Sequence, residues 1–256
     1  MYSLQKASMW KRISAALFDF VFLVIVAVGV AFCLSSLLGY QTQYDLLEDR
    51  YNKIETEYGV DFDMTSEEYQ ALSEETRAQL DEALAKASAA IENDEEARRL
   101  FNMLFTLSIV ILSFSILIAY LLLELLVPIW LKNGQTLGKK IFGVALMRED
   151  GIKVSPLLLF IRTLLGKYAL ETMLPVLILM MLFFGIPDPL GMILIVALTL
   201  TQVIMFLFTK TRALIHDRLS HIVCVDFATQ MIFETPEELI EYKKKLQEKM
   251  AQNAPY

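Results

Sequence analysis

Four long stretches of this chain are almost free of charge, while the residues between them are rich in it. Ile13–Gly39 carries one charged residue, Asp19, and Phe101–Leu131 carries one, Glu124. Leu170–Ile186 carries one, Glu171, and Leu190–Phe208 carries none. A helix needs about 20 apolar residues to cross a hydrocarbon core ~30 Å thick, and only an intact helix satisfies its own backbone there. The pattern predicts an all-α membrane protein with four transmembrane helices. It divides the chain into an N-terminus with the first helix (1–39), an acidic helical arm (40–100) and the second helix (101–131). A loop (132–155), an interfacial piece plus the third helix (156–186), the fourth helix (187–208) and a tail (209–256) follow.

Between the spans the periodicity changes. Tyr44, Leu47, Tyr51, Ile54 and Tyr58 recur at three- and four-residue steps, the period of one helix face. After Gly59, Thr65 and Glu68 form the sequence of a capping box. It opens a second stripe of Tyr69, Leu72, Leu80, Leu84, Ala87 and Ile91, so a helical hairpin is expected between the first two spans. In 132–155, the apolar run 141–147, the turn Asp150-Gly151 and the run 152–154 predict a small β-hairpin. Ile222–Val225 is a candidate third strand. Ser155-Pro156 reads as a helix start, and the tail holds an amphipathic helix opening at Thr235.

Charge then orients the chain. The net charge is −7, yet residues 40–100 alone hold six Lys and Arg against seventeen Asp and Glu, so the remainder is net basic. Lys6, Lys11 and Arg12 precede the first span, Lys132, Lys139, Lys140, Arg148 and Lys153 lie between the second and third, and Lys210, Arg212 and Arg218 follow the fourth. Under the positive-inside rule both termini and the middle loop are cytoplasmic and the acidic arm is outside. The first apolar run, 27 residues long, exceeds the 7–15-residue core of a signal peptide, so it is read as an anchor. Cys33 and Cys224 fall on opposite sides in this topology and have neither disulfide nor metal spacing.

Ionisable residues within spans are the strongest functional pointers, because each costs several kcal/mol unless paired or hydrated. Asp19 lies two turns after Arg12, and Glu124 lies at matching depth eight residues before Lys132. Glu171 follows Lys167 by four residues, within helical pairing reach. The expected cluster is Arg12, Asp19, Glu124 and Glu171, with Arg162 and Lys167 at its rim. It reads either as ion pairs locking helices together or as a site for a cation, a proton or a polar ligand. Gly134-Gln-Thr136-Leu-Gly138-Lys139-Lys140 has three residues between its glycines and no Ser or Thr after lysine, so it is not a phosphate-binding loop. Its lysines are expected to meet anionic lipid headgroups. Asp61, Asp63 and Glu67 lack the spacing of a calcium loop. His216-Asp217 has no nucleophile at a recognisable spacing. No enzyme activity, cofactor or nucleic-acid partner is expected.

Arg12, Asp19, the run Gly134–Val144, the turn Glu149-Asp150-Gly151 and His216-Asp217-Arg218-Leu219 together resemble the RDD family of prokaryotic membrane proteins. That family is named for one arginine and two aspartates, and the resemblance makes Asp217 the candidate second aspartate. It covers residues 8–39 and 115–227, and departs from the usual pattern at Ser220-His221-Ile222. It implies a bacterial cytoplasmic membrane location and, at most, transport of ions or small ligands. Two functions follow as expectations. One is a permease whose inner-leaflet carboxylates handle a cation, proton or small polar ligand, helped by homo-oligomerisation. The other is a non-transporting accessory protein that binds a protein partner through its arm or C-terminal helix.

Overall fold

The computed structural model describes residues 4–183 and 189–252. The expected end of the third span (184–186) and start of the fourth (187–188) lie outside the described residues, as do 1–3 and 253–256. Four helices are long and apolar enough to cross a membrane: α1 (Met9–Leu37), α5 (Glu95–Trp130), α7 (Pro156–Phe183) and α8 (Pro189–Phe208). Their large side chains are turned outward, with Phe20, Ile25, Ile193 and Leu200 all exposed. That inversion of the usual apolar core is stable only where lipid supplies the missing contacts. The residues expected to be interfacial and the third span form one helix, since α7 runs unbroken from Pro156. Ser155 caps it by accepting from Leu158 N, and Pro156 stands in the first turn, where its missing N–H costs nothing.

The chain divides into two compact units, residues 31–114 and residues 1–30 with 115–256. In the first unit, α2 (Tyr40–Tyr58) packs on α4 (Glu74–Asn93), burying Ile54, Val60 and Ala87 with Leu80, Leu84 and Ile91 around them. Leu47, Ala97, Leu100 and Leu104 form a second core, and Arg50 reaches Asp94 at 3.0 Å. The capping box at Thr65 and Glu68 forms as expected. The helix it opens, α3 (Ser66–Ala71), stops early. Ser73 caps α4 instead, accepting from Thr76 N while Leu72 turns extended, so the single second helix of the arm is two helices.

In the second unit, α6 (Leu137–Ile141) leads into β1 (Val144–Arg148), and α9 (Ile215–Leu219) leads into β2 (Ile222–Asp226). The strands pair antiparallel with Leu146 opposite Cys224. The expected hairpin is reduced to one bridge, Met147 to Lys153, although Asp150-Gly151 does turn the chain. The full ladder of β1 is on its other edge, where the equally apolar β2 lets both of its faces be buried. Val144 and Leu146 bury with Leu159 and Ile222, while Ala145 and Met147 bury with Val223 and Val225. The tail helix α10 (Pro236–Gln252) docks Leu239 and Tyr242 onto Ile152 and Phe233.

Candidate functional site

Two prolines shape the site. Pro128 has no N–H for the Glu124 carbonyl four residues earlier, and Pro175 stands in the same relation to Glu171. Both helices are π-wound just before those prolines, over Leu121–Leu126 in α5 and Ile161–Met173 in α7. The closing bonds run five residues back, from Val127 N to Leu122 O and from Leu174 N to Ala169 O. The freed carbonyl of Glu124 accepts from the buried hydroxyl of Thr163, at 3.1 Å. Winding also decides which side chains share a face. At the ~100° per residue of an α-helix, Glu171 would stand about 180° from Arg162. At the roughly 80° per residue of i→i+5 winding, Arg162, Lys167 and Glu171 fall within about 50° of arc. π-turns are uncommon and concentrate at functional sites.

On this face lies a chain of ion pairs. Asp19 accepts from the Thr136 hydroxyl, from Gly138 N at 2.8 Å and from Lys139 Nζ at 3.2 Å. Lys139 Nζ also lies 4.0 Å from Glu124, which accepts from Lys167 Nζ and from Arg162 Nη1 at 3.4 Å. Arg162 Nε donates to Asp217 at 2.8 Å. Asp217 in turn faces Arg12 at 3.8 Å and His216 Nε2 at 3.2 Å. His216 Nδ1 lies 2.7 Å from Glu171, whose other oxygen accepts from the His216 backbone N–H at 3.0 Å. The four carboxylates thus face four fixed cations, and His216 and the Cys224 thiol are further ionisable groups in contact with them.

Glycines allow this convergence. A Cβ on Gly138 would stand 2.3 Å from the Ala15 carbonyl, so only glycine lets α6 touch α1. A Cβ on Gly166 would stand 2.5 Å from the His216 Cβ, so α9 could not seat on the π-wound face. Gly134 takes φ +69 against Leu146, and Gln135 donates to the Val144 carbonyl at 2.8 Å. Outside the spans, burial alone would push Asp217 up, and the charges of His216 and Arg162 hold its carboxyl well below the usual range instead. Burial would likewise lower Lys139, but the Glu124 and Asp19 carboxylates raise it.

The RDD family matches residues 6–221. The chain belongs to the RDD family. No curated protein and no solved structure matches it.

Of the residues carrying the family resemblance, Arg12, Asp19, Thr136, Gly138, Lys139, His216 and Asp217 meet in one site with Glu124 and Glu171, while the Glu149-Asp150-Gly151 turn lies outside it, with Glu149 on Arg218. Two expectations change. Glu171 does not pair with Lys167; it takes His216, and Lys167 takes Glu124. Lys139 does not reach for headgroups, being buried between two carboxylates, so Lys140 alone of the pair is exposed. His216, which the sequence marked only through the family resemblance, and Gln202, which it did not mark, belong to the site. The repeated Glu-x-x-x-Pro at 124–128 and 171–175 is the signal that marks this π-wound face. The site borders a cavity of about 590 Å³ whose walls include Leu17 and Phe20 of α1 and Val203 and Phe206 of α8.

Proposed function

We propose that this RDD family membrane protein is a proton-linked transporter of a small solute in a bacterial cytoplasmic membrane, and that it is not an enzyme. The observation that carries the reading is the trio Glu171–His216–Asp217. A neutral imidazole has one N–H, yet both nitrogens of His216 face carboxylate oxygens, at 2.7 and 3.2 Å. With a second proton the imidazole can donate to both carboxylates, and without it one nitrogen faces a carboxylate oxygen with no proton between them. Arg162 donates to Asp217 at 2.8 Å, whereas Glu171 faces His216 Nδ1, so that second contact is where the trio can gain or lose the proton. Gln202, Arg12, Arg162, Cys224 and Tyr120 are polar groups around the trio from α8, α1, α7, β2 and α5. A metal cation is disfavoured as cargo because a lysine or arginine already sits on Asp19, Glu124 and Asp217.

The test uses purified protein in vesicles with a trapped pH indicator, exposed to sodium, chloride, a small carboxylate, an alkyl phosphate and an organic amine in turn. At least one solute should drive proton movement, which Glu171→Gln abolishes and Lys140→Gln leaves intact. No movement with any solute, or movement unchanged in Glu171→Gln, sinks the reading.

A second reading has one supporting observation. Residues 31–114 form a compact unit with cores of their own, as a docking module would. If deleting residues 44–92 removes crosslinked partners and proton movement is absent, the accessory role replaces the transporter.

A further inference from the structure

Of the four cations in the site, three donate hydrogen bonds to carboxylates: Lys139 to Asp19, Lys167 to Glu124, and Arg162 to Asp217 and Glu124. Arg12 differs. Its side chain is only 6% exposed, yet among the described residues its guanidinium makes no hydrogen bond. Its nearest carboxylate oxygen, on Asp217, is 3.8 Å away, beyond hydrogen-bond reach. Its remaining contact is the face of Phe206, 5.2 Å from the ring centroid. A guanidinium carries five N–H donors in a planar fork. Among the described residues only Arg50 Nε is a sealed side-chain nitrogen or oxygen without a partner, so the Arg12 donors are open to the cavity that Arg12 lines, and the shape they present suits a carboxylate or a phosphate.

The cavity supplies the rest of the ligand's outline. Arg12 stands at its border, and Leu17, Phe20 and Leu23 of α1 continue from it along one wall. Val203, Phe206 and Leu207 of α8 form the facing wall. Phe20 and Val203, which line the cavity, are 62% and 48% exposed, apolar surface that suits contact with an alkyl chain.

We infer that this cavity binds an anionic amphiphile drawn from the bilayer, its carboxylate or phosphate head on Arg12 and one alkyl chain between α1 and α8. This deepens the proposed function by naming a class of solute. A bound anion would also give the proton on the Glu171–His216 pair a balancing charge.

The experiment measures equilibrium binding of dodecyl phosphate to the full chain in nanodiscs of zwitterionic lipid, with inorganic phosphate and neutral dodecanol as separate probes. Wild type is expected to bind dodecyl phosphate saturably at one site per chain, at least tenfold more tightly than either other probe. Arg12→Gln should weaken it at least tenfold. Val203→Trp fills the apolar wall without touching the ion pairs, and should weaken dodecyl phosphate while leaving inorganic phosphate unchanged. Three outcomes overturn the inference: no saturable binding to wild type, equal binding of inorganic phosphate, or equal binding of dodecanol. Should Arg12→Gln fail to fold, the wild-type comparison and Val203→Trp still decide. Binding needs no proton gradient, so binding without proton movement defeats the transporter reading alone. Proton movement without binding defeats this inference alone.

Discussion

At the scale of single residues, the site depends on atoms that are missing as much as on charges that are present. Gly138 touches the Ala15 carbonyl so closely that a methyl group has no room, whereas Gly29 in the same helix α1 has nothing within 4 Å of its would-be Cβ. The two alanine substitutions should therefore have opposite signs. Gly138→Ala is expected to destabilise by about 1–3 kcal/mol through overpacking. Gly29→Ala should be neutral or stabilising by about 0.5–1 kcal/mol through helix propensity. Thermal unfolding in detergent reads both, and a Gly138→Ala protein as stable as wild type would refute the close contact. Arg162 is the charged counterpart. It is 2% exposed and holds Glu124 and Asp217 together. Replacing it with Met leaves both carboxylates buried with reduced compensation, a loss of roughly 3–5 kcal/mol. The same melt measures it, and a loss under 1 kcal/mol would mean water reaches those carboxylates.

At the scale of elements, winding is the variable that the hydrophobic pattern does not report. The four apolar runs were legible because lipid demands length and apolarity, and both are written along the chain. The capping box at Thr65 was legible because it is a local pattern of four residues. Which side chains meet across the site was not. Lys167 and Glu171 look like an i,i+4 pair, but each takes a partner from another element, Glu124 from α5 and His216 from α9. The prolines were visible, yet π-winding also needs somewhere for the freed carbonyl to go. Thr163 provides that for Glu124, and it is 39 residues away in sequence. The strand pairing was hidden for the same reason, since β1 pairs along its length with β2, 74 to 82 residues away, and keeps only the Met147–Lys153 bridge on its other edge. Pro175→Ala tests the winding. A restored N–H favours α geometry and swings Glu171 away from His216. Proton movement should fall at least tenfold with the protein still folded. A residual check is the contact between Tyr120 and Thr172, whose hydroxyls lie 2.8 Å apart. Cysteines at these positions should crosslink with a short bifunctional thiol reagent in wild-type winding and lose that crosslink in Pro175→Ala.

At the scale of the whole molecule, charge has to fix which side of the membrane each segment occupies. Three basic groups of loops and termini, beginning at Lys6, Lys132 and Lys210, argue for the cytoplasm. Residues 40–100 carry few cations, but Arg98 and Arg99 stand at the start of α5 and pull the other way. Both are engaged locally, Arg99 with Glu96 at 2.6 Å and Arg98 with the Glu92 carbonyl. The basic groups outnumber them, so the termini should face the cytoplasm and the acidic arm the outside. Single cysteines at Ser73 and Lys245, both exposed, report this in a background with Cys33 and Cys224 changed to serine. In intact cells a membrane-impermeant maleimide should label the cysteine at 73 and spare the one at 245, and permeabilising the cells should expose the latter. The reverse pattern would put the Arg12–Glu124–His216 site near the outer face. The proton it holds would then come from the outside medium, and any amphiphile it binds from the outer leaflet.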